Sequence, residues 1–295
     1  MGFHGLELRG QDLRQGKIQN LLPLEYSNIH LSDWVNWIDC YKANLMEIER
    51  TFTTLEVARY YFGGRLNKTT LLNNWSEEIL IAKKLNSKNI IFHAIEVDLD
   101  GLLGQNFKRT NQEVLEQVVE ILQEVIDYTL NTQINICLEN GAIHDKGMLT
   151  RNDFLFIAER ILSISNVYLT FDICHFQTIF RSRIIEAFCE IDLKAKQRIK
   201  IIHASEAVSE ERDLVPKEIY LEAQNNFFRK REIVKNMVTA DSHMPFGVTI
   251  KKPKFFLEAI CQFAEKPVFI THELKVEPFE VLEMALKLQQ WQLMQ

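Results

Sequence analysis

Proline and glycine are scarce in this chain, at 6 and 11 of 295 residues. That leaves little material for a disordered linker, and one domain spanning residues 1–295 is expected. Cysteine is sparse and unpatterned: Cys40, Cys137, Cys174, Cys189 and Cys261 are odd in number, scattered, and without a CxxC pair. Such a set argues against a disulfide framework and for reduced thiols in a cytoplasmic protein. No apolar run approaches the roughly 20 residues that cross a bilayer, and the N-terminus lacks a basic stretch followed by an apolar one. Membrane insertion and secretion are therefore not expected. Positive charge is also in deficit, with 34 Lys and Arg against 40 Asp and Glu, a formal net charge of −6. A chain without a broad basic surface is a poor match for a phosphate backbone, so nucleic acid is disfavoured as a partner.

What the chain does have is a series of short apolar runs, each ending on a side chain that can bind a metal. VYLTFDICH, residues 167–175, ends in Asp172 and His175; IIFH ends in His93, INICLE in Glu139, IKIIH in His203 and VFITHE in Glu273. Asp, Glu and His make up about one residue in six, so five such endings in succession are informative. Strand parity strengthens the pattern. Val167, Leu169 and Phe171 share one face and Tyr168, Thr170 and Asp172 the other, while Asn135, Cys137 and Glu139 stand opposite Ile134, Ile136 and Leu138. Helices are expected to cover the apolar face, and the other face to line a barrel interior.

Amphipathic helical stretches separate these runs. One spans about 110–130, another about 75–85 within a mostly helical region 44–88 broken at FGGRLNKTT, another lies near 182–197, and the last near 278–291. Thr150 and Asp153 are spaced as a capping box. Residues 206–216 read as a charged loop and 217–236 as a helix rich in Phe, Arg and Lys, together long enough to form a lid or substrate wall. Alternating strands and helices over this length predict an α/β fold, a single (β/α)₈ TIM-type barrel. The strand ends of such a barrel meet on one rim, so Glu139, Asp172, His203 and Glu273 should form one cluster. Packed carboxylates resist ionisation unless a cation compensates, and oxygen-rich ligation with one imidazole suits a divalent metal: Mn²⁺, Zn²⁺, Co²⁺ or Fe²⁺. In NIHLSDWVNW, His30 shares a face with Ser32 and is a candidate substrate contact; Trp34 is a candidate pocket wall and Trp37 a core residue. Glu7 and Arg9 share a face of the first strand, placed to pair with each other inside the barrel. His4, His144 and His272 are read as structural.

The ordered pieces GLELRG, NIHLS, IIFHA, ICLEN, LTFDICH, IIHAS, DSHMPFG and ITHELK resemble the xylose-isomerase-like TIM-barrel superfamily, which includes sugar isomerases and epimerases and the endonuclease IV group of AP endonuclease family 2 type. The resemblance implies a divalent-metal-dependent isomerase or epimerase acting on a small sugar-like hydroxy-carbonyl substrate. Its metal would be held by Glu139, Asp172, His203 and Glu273, with Glu139 and Glu273 moving a proton through an enediolate. It also implies that His175 binds a substrate oxygen and offers Arg212 as a further substrate contact. The alternative it carries is metal-dependent phosphodiester hydrolysis, because His93, His175, Asp241 and His243 match positions of additional metals in the endonuclease IV group. That group has another histidine ligand after the segment matching IIFHA. Here no histidine lies between His93 and His144, Asn111 or Gln112 stands there instead, and Ser242 replaces the usual basic residue of DSH. GLELRG matches the family's second strand, so the barrel is expected with its first strand missing or irregular. A third reading, a non-catalytic or partner-dependent barrel, follows from that gap. The implied partner is a small molecule, and self-association into a homo-oligomer is compatible with the chain.

Overall fold

Short runs of β-branched and aromatic residues favour extended backbone, and here they assemble side by side in chain order. The computed structural model describes residues 7–17, 28–104, 106–130, 132–142, 145–161, 164–207, 221, 223, 225–234, 243–247, 249–250, 252–273 and 287. Among these, seven strands form one parallel sheet: β1 (Glu7–Arg9), β2 (Asn28–His30), β3 (Asn89–His93), β4 (Asn135–Glu139), β5 (Val167–Asp172), β6 (Ile199–His203) and β7 (Phe269–Thr271). Each pairs with the next in sequence, which is the outcome of repeated crossover connections.

The sheet curls until its edges meet. No ladder joins β1 to β7 among the described residues, yet Thr271 Oγ1 donates to Glu7 Oε2 at 3.2 Å. This is a nearly closed barrel of seven strands, and it accounts for the expected irregularity at the first strand. The parity reading holds. Ile91, Cys137 and Ile201 form a separate interior cluster with Tyr168 and Phe269, while Ile90, Phe92, Ile136, Leu138, Leu169, Phe171 and Ile202 join the larger core under the helices.

The helices that cover the barrel show why their sequences stop where they do. Region 44–88 contains α1 (Leu45–Phe52), α2 (Leu55–Phe62) and α3 (Lys68–Lys84). Gly63 closes α2 in the left-handed region at φ 75°, and Asn67 caps α3 by accepting from Thr70 N. The helix expected near 75–85 thus begins a full two turns earlier, because its start is set by the Asn67 cap rather than by its apolar stripe. Helix α4 (Asn111–Thr129) carries a complete Thr110–Glu113 capping box and buries Val114, Leu115, Val118, Ile121, Leu122 and Val125. Burying such side chains contributes about 1.5–3 kcal/mol each before entropy is counted. Helix α5 (Arg151–Arg160) starts with the predicted Thr150–Asp153 capping box.

VYLTFDICH departs from its reading as one strand. The strand ends at Asp172, and Ile173–Phe180 is a helix, α6, whose first turn is capped when the Asp172 carboxylate accepts from His175 N at 2.7 Å. The apolar Ile173 and Cys174 fit either state, and the cap decides. The region near 182–197 is likewise broken, into Ile184–Glu190 and Leu193–Lys196. Phe227–Ile233 (α7) lies within the stretch expected to be helical over 217–236, and its Lys230, 2% exposed, donates to Asp100 Oδ1 at 2.7 Å. Most of the charged loop and all of the expected final helix except Lys287 lie outside the described residues. No helix among the described residues is long and apolar enough to cross a membrane.

Candidate metal centre

The barrel register sets ligands side by side before any side chain is considered. His93 at the end of β3 pairs with Glu139 at the end of β4, and Asp172 at the end of β5 pairs with His203 at the end of β6. Glu273 follows β7 by two residues, on the parity of Phe269 and Thr271. His203 Nδ1 is the hub: it lies 2.9 Å from Glu273 Oε2, 3.2 Å from Asp172 Oδ2 and 3.3 Å from Glu139 Oε1. The cluster expected from the strand ends is therefore present.

Two further groups flank it, and a third, Glu7 with His30, His203 and Glu273, lies at the barrel seam. His30 Nδ1, His93 Nε2 and Glu139 Oε2 are separated by 3.3, 3.2 and 3.7 Å. Asp172, His175 and His243 form the other, each offering a ligand atom within 4.8 Å of the rest. A carbonyl oxygen only accepts, so His175 Nδ1, 2.9 Å from Asn140 O, carries a proton, and in the neutral ring the lone pair sits on Nε2. His243 Nδ1 lies 3.0 Å from the Ser205 hydroxyl and 3.2 Å from Glu273 O.

The donors fit a metal. Two ligands about 2.0–2.1 Å from a shared tetrahedral ion stand about 3.4 Å apart, the spacing seen in the central and His93 groups. Both oxygens of Glu139 and Oε2 of Glu273 are buried without a directed hydrogen bond. Native structures rarely leave such atoms unsatisfied, and an ion is one of the groups that satisfies them.

Within the metal-free chain the histidines supply the compensating charge. Burial pushes the Glu139 carboxyl up, but His93 and His203 hold it down to about 2. Burial also opposes ionisation of Glu273, and His203 with His243 keeps it well below the usual carboxylate range. The converse applies to the imidazoles. Desolvation lowers His203, yet Glu7, Glu139 and Glu273 raise it well above its ordinary value, and Glu7 is the largest of the groups that lift His30 to about 9.

A cavity of about 310 Å³ opens over the cluster, with His30, His93, His175, His243 and Glu273 in its wall and Arg9 beside them. It is at the small end for a ligand pocket. Trp34 does not line it among the described residues. It is 3% exposed, packed against Trp75 and Phe62, and borders a neighbouring void of about 20 Å³. Trp37 is a core residue, as expected, with Nε1 donating to Ile95 O at 2.8 Å. Arg212, Asp241 and His144 lie outside the described residues.

Three points correct the sequence reading. Glu7 does not pair with Arg9: it binds His30 Nε2 at 2.7 Å and lies 3.3 Å from His203 Nε2. The histidine sought after IIFHA comes from the opposite direction, since His30 completes the group with His93 and Glu139. Asn111 instead opens helix α4. His30 was thus read as a substrate contact when its Nδ1 belongs to a ligand group. Only parity marked Glu7 as an inward carboxylate.

The family profile described as xylose isomerase-like TIM barrel matches residues 1–275. This chain belongs to that family. Among solved structures similar to this barrel are 3-keto-D-glucoside 4-epimerase YcjR from E. coli, at 12% identity over 98% of this chain and 90% of that one, with a TM-score of 0.57; the IolI protein with a bound zinc atom, at 15% identity over 97% and 95%, TM-score 0.53; and an L-ribulose 3-epimerase, at 13% identity over 97% and 76%, TM-score 0.51. At these identities the likeness is one of fold. No curated protein matches the sequence.

Proposed function

We propose that this xylose isomerase-like barrel is a divalent-metal-dependent isomerase or epimerase of a small sugar-like hydroxy-carbonyl compound. The observation that carries the reading is the pair Glu139 and Glu273. They come from β4 and from beyond β7, with two strands between them, and both reach His203 with buried oxygens that lack directed hydrogen bonds. Glu139, Asp172, His203 and Glu273 would hold the metal. When bound, an ion such as Mn²⁺, Zn²⁺, Co²⁺ or Fe²⁺ polarises a carbonyl and its neighbouring hydroxyl and acidifies the C–H beside them. One glutamate takes that proton, giving an enediolate, and the other returns a proton to the same or the adjacent carbon. His175 faces the cavity and orients a substrate oxygen. The names of the epimerases with this fold agree with the reading.

Deuterium wash-in tests it. The metal-loaded protein is incubated in D₂O with a panel of ketoses and 3-keto sugars, and the recovered sugars are read by NMR. Carbon-bound deuterium in at least one, lost with Glu273→Gln, is expected; a panel without exchange under all four metals would sink the proposal.

The two flanking ligand groups favour a second reading, multi-metal phosphodiester hydrolysis, in which adjacent ions stabilise the attacking and leaving oxygens. Turnover of bis(4-nitrophenyl) phosphate or of duplex DNA with abasic sites, without deuterium exchange into sugars, would move the assignment there.

A further inference from the structure

Glu7 stands at the seam of the barrel with three hydrogen-bond partners and one ion-pair contact around its carboxylate. Oε1 is hydrogen-bonded to His30 Nε2 at 2.7 Å and stands 3.3 Å from His203 Nε2, an ion-pair distance without a directed hydrogen bond. Oε2 accepts from Asn28 Nδ2 at 3.3 Å and from Thr271 Oγ1 at 3.2 Å. An ionised carboxylate only accepts, so a neutral imidazole can satisfy it only by carrying its proton on Nε2. Three carboxylates around His203 Nδ1 hold a proton there in the metal-free chain, and in each ring the lone pair becomes available on Nδ1 when an ion displaces that proton. Those are the atoms that enter the two ligand groups: His30 Nδ1 beside His93 and Glu139, and His203 Nδ1 beside Glu139, Asp172 and Glu273.

We propose that Glu7 is the positioning residue for both metal groups, holding His30 and His203 by their Nε2–H so that each presents Nδ1 to an ion. The inference rests on the metal-dependent reading above and adds a residue to it.

An amide ladder fixes which way Glu7 faces. Asn135 Nδ2 donates to Asn89 Oδ1 and Asn89 Nδ2 to Asn28 Oδ1, each at 3.0 Å, and Asn28 in turn donates to Glu7. The four residues share one row of the sheet register. Every amide in the row points its N–H toward the carboxylate. Glutamine at position 7 would break this arrangement, because its NH₂ would meet either the two imidazole N–H groups or the Asn28 N–H. The seven-stranded barrel is itself part of the device. Another strand in the seam would place β1 about 4.8 Å farther from β7, and Glu7 would lose His203 and Thr271.

Zn²⁺ titration of chelator-stripped, full-length protein by calorimetry tests the role. Glu7→Gln should weaken Zn²⁺ binding by about 10–100-fold, the usual loss when the carboxylate behind a ligand histidine is removed. Thr271→Val, which removes one of the two contacts to Oε2 and leaves the carboxylate in place, should weaken Zn²⁺ binding less than Glu7→Gln does. In the Zn²⁺-loaded parent with ¹⁵N-labelled histidine, His30 and His203 should report coordination through Nδ1 with a protonated Nε2. Coordination through Nε2, or a Glu7→Gln protein that binds Zn²⁺ with parental affinity and stoichiometry, would overturn the proposal. If Glu7→Gln does not fold, the labelled parent decides alone. A parent that binds no Zn²⁺ refutes the metal-dependent reading and this role with it, a result distinct from a variant that binds normally.

Discussion

Glu139→Gln removes one charge that two ligand groups share. Oε1 faces His203 in the central group and Oε2 faces His93 and His30 in the flanking one. A neutral amide of the same size keeps the shape and loses the anionic donor, so both groups should lose affinity together. Two effects can be sized separately. In the metal-free protein the carboxyl is held at about 2 against an ordinary 4.5, so its ionised form contributes on the order of 3 kcal/mol at neutral pH. Losing it should lower the melting temperature by roughly 5–10 °C in a protein of this size. Metal content supplies the second measure, by elemental analysis after equilibrium dialysis against Zn²⁺. The parent should retain at least two ions per chain and Glu139→Gln should lose both, whereas His93→Ala should lose one. A Glu139→Gln protein that keeps two ions, or that loses only the one His93→Ala loses, would refute the shared-ligand geometry.

Other consequences follow from the same charges and from the backbone around them. His30 is raised from 6.5 to about 9, so its contribution to metal-free stability is complete below about pH 6.5 and disappears as pH rises through 9. Glu139, lowered from 4.5 to about 2, contributes above pH 4.5 and loses its contribution as pH falls through 2. Metal-free thermal melts should therefore be highest between about pH 4.5 and 6.5 and fall toward pH 9; a melting temperature that climbs from pH 7 to 9 would contradict the assignment. Zn²⁺ uptake should show the opposite trend, strengthening toward pH 9 as it displaces protons from the imidazoles. Gly147 has φ 133°, and a Cβ there would stand 2.3 Å from Ala94 O. Gly147→Ala should cost at least about 2 kcal/mol, read as a lower urea midpoint with unchanged slope; an unaltered midpoint would show that this approach relaxes freely.

The strand-end carboxylates and histidine were legible because two local rules mark them. An apolar run with a period of two assigns each residue to a face, and a charged residue on the inner parity at the end of such a run needs a partner. Glu139, Asp172, His203 and Glu273 satisfy both rules, and the capping box at Thr150 needs only its own four residues. His175 was harder. It follows an apolar dipeptide that suits strand or helix equally, and only the Asp172 cap, seen in three dimensions, assigns it to the first turn of α6.

The sequence alone determined the α/β alternation, the inner and outer faces of the strands and the identity of the residues at their ends, because these depend on interactions between near neighbours in the chain. Only the tertiary structure decided that seven strands nearly close the barrel, that Glu7 reaches across the seam to His203, and that His30 joins His93 and Glu139. Those contacts join residues between 21 and 264 positions apart, and they depend on strand order, stagger and closure, which no local pattern encodes.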